Sequence, residues 1–362
     1  MVDFIVKVPD GRSPIILQLS DPQIIDSSKA AEGRLAAEES SYWEPDKKEA
    51  RCYRYIREVV AATRPDLILI AGDLVYGEFD HDGEALLGFV EFMEEFGISW
   101  APVLGNHESE SRMGVDWQCE QFASAEHCLF RQRSLTGNGN YTVGIEQGGR
   151  LTRVFYMLDS NSGKPSERSL ANGHSNHPAG FGEDQIAWYT EDIGVLRMAY
   201  PDVGISFTFH IALASFEDAY AKYGYVRERG ASVFPLIIDG RDESGRDIGM
   251  LLSPIHLWDG DRRVWNGLKA LGVDSIFVGH DHEACAGVVY EGIRCQFGLK
   301  SSTYDSNTYL NEASIPVKGF TPAGTPLIGG TVISLTPDDG RIERVYHYYC
   351  KNVDFEMRGL GL

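Results

Sequence analysis

Nine positions stand out as residue types that bind metal or move protons: Asp21 and Gln23, Asp73 and Tyr76, Asn106 and His107, the lone His210, and His280 with His282. Each group directly follows an apolar run, so five separate runs end in metal-capable side chains. Packing gives no reason for His or Asp to recur at such places. Mixed carboxylate, imidazole and amide donors suit iron, zinc or manganese better than magnesium or calcium, whose sites are built from oxygen. No cysteine belongs to the set, which argues against a thiolate zinc centre. Seven or more donors exceed what one ion takes. Two ions sharing a bridging carboxylate would use them all, the arrangement that clamps an in-line displacement at phosphorus.

The elements that must present these residues are legible around them. Residues 14–20, 67–71, 99–104, 204–209 and 274–278 read as buried strands, and ligands in open α/β sheets bind beyond the carboxyl ends of such strands. Gly72, just before Asp73, lets the chain turn sharply and leaves room for a bulky neighbour such as a metal ion. Helical spacing covers 46–63, closed by Pro65, and 84–96, stopped by Gly97. Residues 141–146 and 152–158 read as antiparallel strands joined through Gly148-Gly149, and the second delivers Asp159-Ser160. Helices are expected at 184–198 and 262–271. Short strands at 287–290, 293–297, 330–335 and 344–349 suggest a second, mostly antiparallel sheet. Residues 24–46 form a long polar connection of the kind that is more often functional, or a lid, than featureless. The span 211–260 is hard to read and holds an Asp- and Gly-rich loop at 239–247. The expected fold class is α/β, with two packed mixed sheets flanked by helices, forming one domain over 1–362.

The chain has 362 residues, 43% hydrophobic and 24% charged, as in an ordinary globular protein. A formal charge of −20 argues against a sequence-independent nucleic-acid binder. The six cysteines (Cys52, Cys119, Cys128, Cys285, Cys295, Cys350) form no CxxC pair and read as free buried thiols, although a Cys119–Cys128 bridge is conceivable. No signal peptide is visible at residues 1–10, and no apolar stretch of about 18 residues exists to span a membrane. The expected location is cytoplasmic.

Asp21-x-Gln23, Gly72-Asp73-x-x-Tyr76, Gly105-Asn106-His107-Glu108, His210 and Gly279-His280-x-His282 together resemble the calcineurin-like metallophosphoesterase superfamily. The resemblance spans residues 21–282 and implies a four-layer α/β/β/α sandwich. It implies that Asp73 bridges two metals, that Asp21 and His282 bind the first, and that Asn106, His210 and His280 bind the second. It places His107 over the substrate phosphate and makes a metal-bound hydroxide the nucleophile. Most members read Asp-x-His in the first motif, where this chain has Gln23. Gly-Asp-x-x-Tyr is similar to the purple acid phosphatase branch, in which the tyrosine is a phenolate ligand to ferric iron. The metals implied are therefore Fe3+ with Fe2+, Zn2+ or Mn2+, with Tyr76 compensating for a weak or merely hydrogen-bonding Gln23. Asn138-Gly139-Asn140-Tyr141, Leu158-Asp159-Ser160 and Gln185-x-x-Trp188 resemble small members of that branch, whereas Phe207-Thr208-Phe209-His210 departs from its usual Val-x-x-His.

Phosphomonoester hydrolysis is the expected activity, on a small phosphorylated molecule or a phosphoprotein. Phosphodiester hydrolysis and an inactive scaffold are the alternatives. No nucleic-acid or membrane partner is expected. Asp159, ending a strand near the site, is a candidate to position a histidine. His81 and His256 are open between pocket and surface roles. His174 and His177 read as exposed, and His127 and His347 carry no pattern.

Overall fold

Leu67–Ala71 (β3) is an unbroken run of large apolar side chains, and such a run settles where both faces of a strand are covered. In the computed structural model all five residues are fully buried, each large one contributing roughly 1.5–3 kcal/mol. The structure describes residues 2–25, 45–163, 177–178, 180–226, 232–241, 247–251, 255–258, 262–282, 284–302, 327–351 and 353.

Two sheets organise the described chain. One has five strands: β2 (Ile15–Leu19), β3 and β4 (Trp100–Val103) run parallel, and β11 (Gly329–Leu335) and β12 (Ile342–Tyr349) extend it antiparallel beside β2. The other has seven strands, in spatial order β1 (Phe4–Lys7), β5 (Tyr141–Gln147), β6 (Arg150–Met157), β7 (Gly204–Thr208), β8 (Ser275–Val278), β10 (Ile293–Phe297) and β9 (Gly287–Tyr290). Neighbours β6, β7, β8 and β10 are parallel, whereas β5 and β9 pair antiparallel with β6 and β10. Both sheets are mixed.

The sheets meet face to face. Gln18 Nε2 donates to the Val278 carbonyl at 2.9 Å and Tyr141 Oη to the Pro102 carbonyl at 2.6 Å, each bond crossing between them. Helix α1 (Pro45–Thr63) covers the outer face of the smaller sheet; a Cβ on Gly330 would meet both Leu17 and Val59, so glycine lets the helix lie close. Helix α2 (Glu84–Glu94) shares that core, with Phe89 and Met93 fully buried in it. On the outer face of the larger sheet, Tyr156 and Phe207 pack with Tyr189 of α4 (Glu183–Ala199), following the short α3 (Val115–Ser124) in chain order. Phe216 and Tyr220 of α5 (Ser215–Ala221) and Trp265 of α6 (Arg262–Ala270) complete that layer. The four layers expected from sequence are present.

Two expectations need correction. The C-terminal strands do not make a sheet of their own: β9 and β10 join the larger sheet through β8, and β11 and β12 join the smaller through β2. β10 and β11 pair the edges that β8 and β2 would otherwise leave open, and β9 and β12 become the outer strands. The stretch 239–247 is not simply a loop, because Ser232–Arg241 and Asp247–Leu251 pair antiparallel. Residues 242–246, most of the 24–46 connection and 164–176 lie outside the described residues. All six cysteines are buried thiols outside any disulfide.

Candidate metal centre

The parallel strands of both sheets end at one edge, and five of those ends carry the residues singled out above. Asp21 and Gln23 follow β2, Asp73 follows β3, Asn106 and His107 follow β4, His210 follows β7, and His280 and His282 follow β8. Asp21, Gln23, Asp73 and His280 all have positive φ, between 46° and 72°. Non-glycine residues rarely tolerate that region, and such strain gathers where a side chain must be aimed. The Ile24 and Val75 backbones bridge, and Gln23 N donates to the Asp73 carbonyl at 2.8 Å, so the first two loops move as one.

Asp73 is the hub. Its carboxylate is buried, accepts from His107 N at 3.0 Å and lies 3.3 Å from His210 Nε2. Glycine at 72 is required because a Cβ would enter the His210 ring, and at 105 because one would enter Asp73 itself. The bulky neighbour that Gly72 accommodates is thus an imidazole. Glu108, fully buried, accepts from the amides of Gly105 and Leu74 at 2.6 Å each and ties the Asp73 and Asn106 loops together. Burial and the Asp73 charge push its carboxyl up to about 7.

Two donor trios share Asp73. Its ligand atoms converge with those of His210 and His280, and again with those of Asp21 and His282, each trio within 4.8 Å. His210 Nδ1–H donates to the Ala71 carbonyl at 2.7 Å, which leaves the lone pair on Nε2 in the neutral ring. That lone pair faces Asn106 Oδ1 at 3.1 Å and His280 Nδ1 at 3.2 Å, as well as Asp73. A proton on Nε2 or a metal ion in its place answers these facing atoms, and the donor set fits such an ion. On the other side His282 Nε2 lies 3.5 Å from Asp21 Oδ1, and Asp21 is held by Ser20 Oγ and the His280 amide.

The electrostatics agree. Burial disfavours charge on Asp73, yet His210 and His107 hold its carboxyl well below the usual range. Burial likewise opposes a proton on His210, but Asp73 outweighs it and pushes the imidazole up to about 10. Burial and then His210 push His280 well below the ordinary histidine value. The site attracts positive charge and shares it unevenly.

His107 stands beside this cluster, with Nε2 3.8 Å from Asp73 Oδ2 and Nδ1 at 2.7 Å from Glu110 Oε2. Tyr76 stacks on its ring at 4.0 Å between centroids and also meets Phe79 at 5.4 Å. Gln23 is fully buried, and its amide is oriented by chemistry. Lys300 Nζ, which can only donate, lies 2.8 Å from Oε1, so the NH2 group faces Asp73 Oδ2 at 3.5 Å. The one Gln23 atom able to bind metal is engaged by an ammonium.

Asp159 does not hold a histidine among the described residues. Its carboxylate accepts from the amides of Asn138 and Asn161 at 2.8 Å each, turning two loops back on themselves. Gln185, fully buried, donates to Asn140 Oδ1 and the Asp159 carbonyl, so the softer motifs form one structural knot. Ser160 Oγ accepts from Ile211 N at 3.1 Å and connects that knot to the His210 loop.

His256, largely exposed, binds Asp281 Oδ1 through Nδ1 at 2.6 Å, and its ring lies 5.7 Å from that of His280. It borders the centre. The His127 carbonyl accepts from Trp100 N and its amide donates to the Glu94 carboxylate, and His81 is half-buried before α2. His174 and the His177 side chain fall outside what is described. Sequence reasoning missed Glu110, Asp281 and Lys300. Glu110 sits one helical turn after His107, and Lys300 follows strand β10 as the other site residues follow theirs.

A family model described as calcineurin-like phosphoesterase matches residues 15–284. Probable inactive purple acid phosphatase 28 of Arabidopsis thaliana is 43% identical over 153 residues, covering 37% of this chain and 38% of the relative. Phosphatase DCR2 of Saccharomyces cerevisiae is 24% identical over 251 residues, covering 65% and 39%. The chain therefore spans about two fifths of the length of these relatives. Among solved structures, a dimetal phosphatase from Danio rerio superposes with a TM-score of 0.49 at 12% identity, covering 93% of this chain and 98% of that one. A purple acid phosphatase from yellow lupin seeds gives 0.42 at 11% identity, with 93% and 54% covered.

Proposed function

The chain belongs to the calcineurin-like phosphoesterases, and on that premise we propose that it hydrolyses phosphate monoesters with two metal ions bridged by Asp73. The observation that carries this reading is the sharing of Asp73 between two donor trios. Asn106, His210 and His280 would hold one ion with Asp73, and Asp21 and His282 the other. Bound there, the ions supply Lewis acidity toward a phosphoryl oxygen and acidify water.

The chain's own residues do the rest. His210 is oriented by the Ala71 carbonyl, so Nε2 already faces the site and needs only to release its proton to bind. His107 is poised as proton donor: Glu110 takes Nδ1–H, and Nε2–H is left to protonate the departing oxygen of the ester. Burial lowers the affinity of His107 for its proton, but Asp73 and Glu110 together raise it above the ordinary histidine value. Tyr76, lying flat against His107, is the candidate phenolate donor on the Asp21 side and would select ferric iron there. Burying the cluster beneath loops from both sheets limits water and strengthens every charge interaction within it.

The proposed substrate is a small phosphorylated molecule. Steady-state rates on p-nitrophenyl phosphate and bis(p-nitrophenyl) phosphate test this, and a diester rate well above the monoester rate would reject it. With iron bound, a tyrosinate charge-transfer band that disappears in Tyr76→Phe supports the phenolate role. A band unchanged in that variant reduces Tyr76 to packing against His107. A second reading is favoured by the hold of Lys300 on Gln23: a binding protein with a weakened centre. Whole protein that takes up no metal and hydrolyses neither ester would establish it.

A further inference from the structure

Lys300 is nearly fully buried, at 3% exposed, at the end of the sixth strand that reaches the site edge. A buried ammonium is costly and seldom kept without a partner or a task. Its backbone enters on the Asp21 side of the centre. Ser20 bridges to Lys300, Ser301 N donates to the Ser20 carbonyl at 2.8 Å, and Ser302 Oγ donates to the Asp21 carbonyl at 3.2 Å. Its ammonium is separated from the Asp73 carboxylate by a single amide group, that of Gln23.

We propose that Lys300 is a resident cation on the Asp21 side of the centre, which makes the two metal positions unequal. The inference rests on the two-metal reading above. Two observations carry it. Gln23 Oε1 is committed to Lys300 and cannot ligate, and the chain from Lys300 to Ser302 lies against Ser20 and Asp21. The fixed charge also repels an incoming divalent ion, and over a path of this length in a protein interior that costs about tenfold or more in affinity. The Asp73–Asn106–His210–His280 position keeps its full donor set and fills first. The Asp21–Asp73–His282 position fills second, and Lys300 provides part of the positive charge its ion would bring. Lys300 is a positioning residue in this role, acting on the ion through Gln23 and through space.

Stepwise binding of Mn2+ alone to the whole protein, followed by calorimetry, tests the proposal. Wild type should bind two ions with dissociation constants at least about tenfold apart. Lys300→Met should tighten the second step about tenfold and leave the first within threefold, while Lys300→Arg, which keeps the charge, should keep the steps apart. A merely structural lysine would not shift one step selectively. Two equal steps in wild type, or a second step unmoved in a folded Lys300→Met, overturn the inference and leave the two-metal reading intact. No Mn2+ binding by wild type overturns both. If Lys300→Met does not fold, wild type and Lys300→Arg still decide, because equal steps in either contradict a resident charge.

Discussion

The two halves of the candidate centre hold their donor residues in different ways. On the His210 side the donors are orthodox, and each is fixed by backbone: His210 by the Ala71 carbonyl, Asp73 by the His107 amide, and the loops beneath them by Glu108. On the Asp21 side an amide and an ammonium stand where a donor is expected, placed by the backbone bridge between Ser20 and Lys300 and backed by a chain of side chains. Leu299 N donates to Thr331 Oγ1 at 2.9 Å, Thr331 meets His347 Nδ1 at 3.0 Å, and His347 Nε2–H donates to the Cys285 carbonyl. The sides thus differ in what stands at the donor positions: Asn106 with two imidazoles on one, and Gln23 held by Lys300 on the other.

Asp73→Ala removes what the halves share, so it should abolish tight binding of both ions and all detectable ester hydrolysis, read by metal analysis beside the assay. Retention of one ion would mean that the halves are independent. His107→Ala should keep both ions but slow turnover by roughly 10²–10⁴-fold; loss of metal instead would place His107 among the ligands. Glu110→Gln weakens the partner of His107 and should cost about tenfold in kcat with metal content unchanged. If kcat holds, Glu110 only packs.

The smallest effect concerns the support of the Lys300 arm. His347 is buried, and burial pushes its imidazole down to about 4 from 6.5. The folded state thus binds fewer protons than the unfolded chain between these values. Its contribution is fully present above pH 6.5 and lost as pH falls toward 4, about 3 kcal/mol in all. Urea unfolding of wild type and His347→Leu at pH 7 and pH 4 checks this: the variant should be less stable at pH 7 and should lack that share of the decline. An equal decline in both would show that His347 is not the titrating group.

Much of this site was legible because its chemistry lies at the ends of apolar strands, where a polar residue has no packing role to explain it. Asp21, Asp73, Asn106, His210, His280 and His282 are picked out that way as candidates, and the fold brings them to one edge. What escaped depends on three-dimensional pairing. Lys300 looked like any lysine until β10 was seen to lie parallel beside β8. The expected C-terminal sheet failed for the same reason, since strand spacing does not say which edge a strand joins. Asp159 ends a strand near the site, as a histidine-positioning carboxylate would, but the amides of Asn138 and Asn161 claim one carboxylate oxygen each.

The central claim is that two ions joined at Asp73 do the chemistry together. Hydrolysis of p-nitrophenyl phosphate, measured as Mn2+ is added back to chelator-treated protein, tests it most directly. Activity should stay near baseline through the first equivalent and rise with the second. Full activity at one equivalent, or hydrolysis undiminished in the chelator-treated protein, would contradict it.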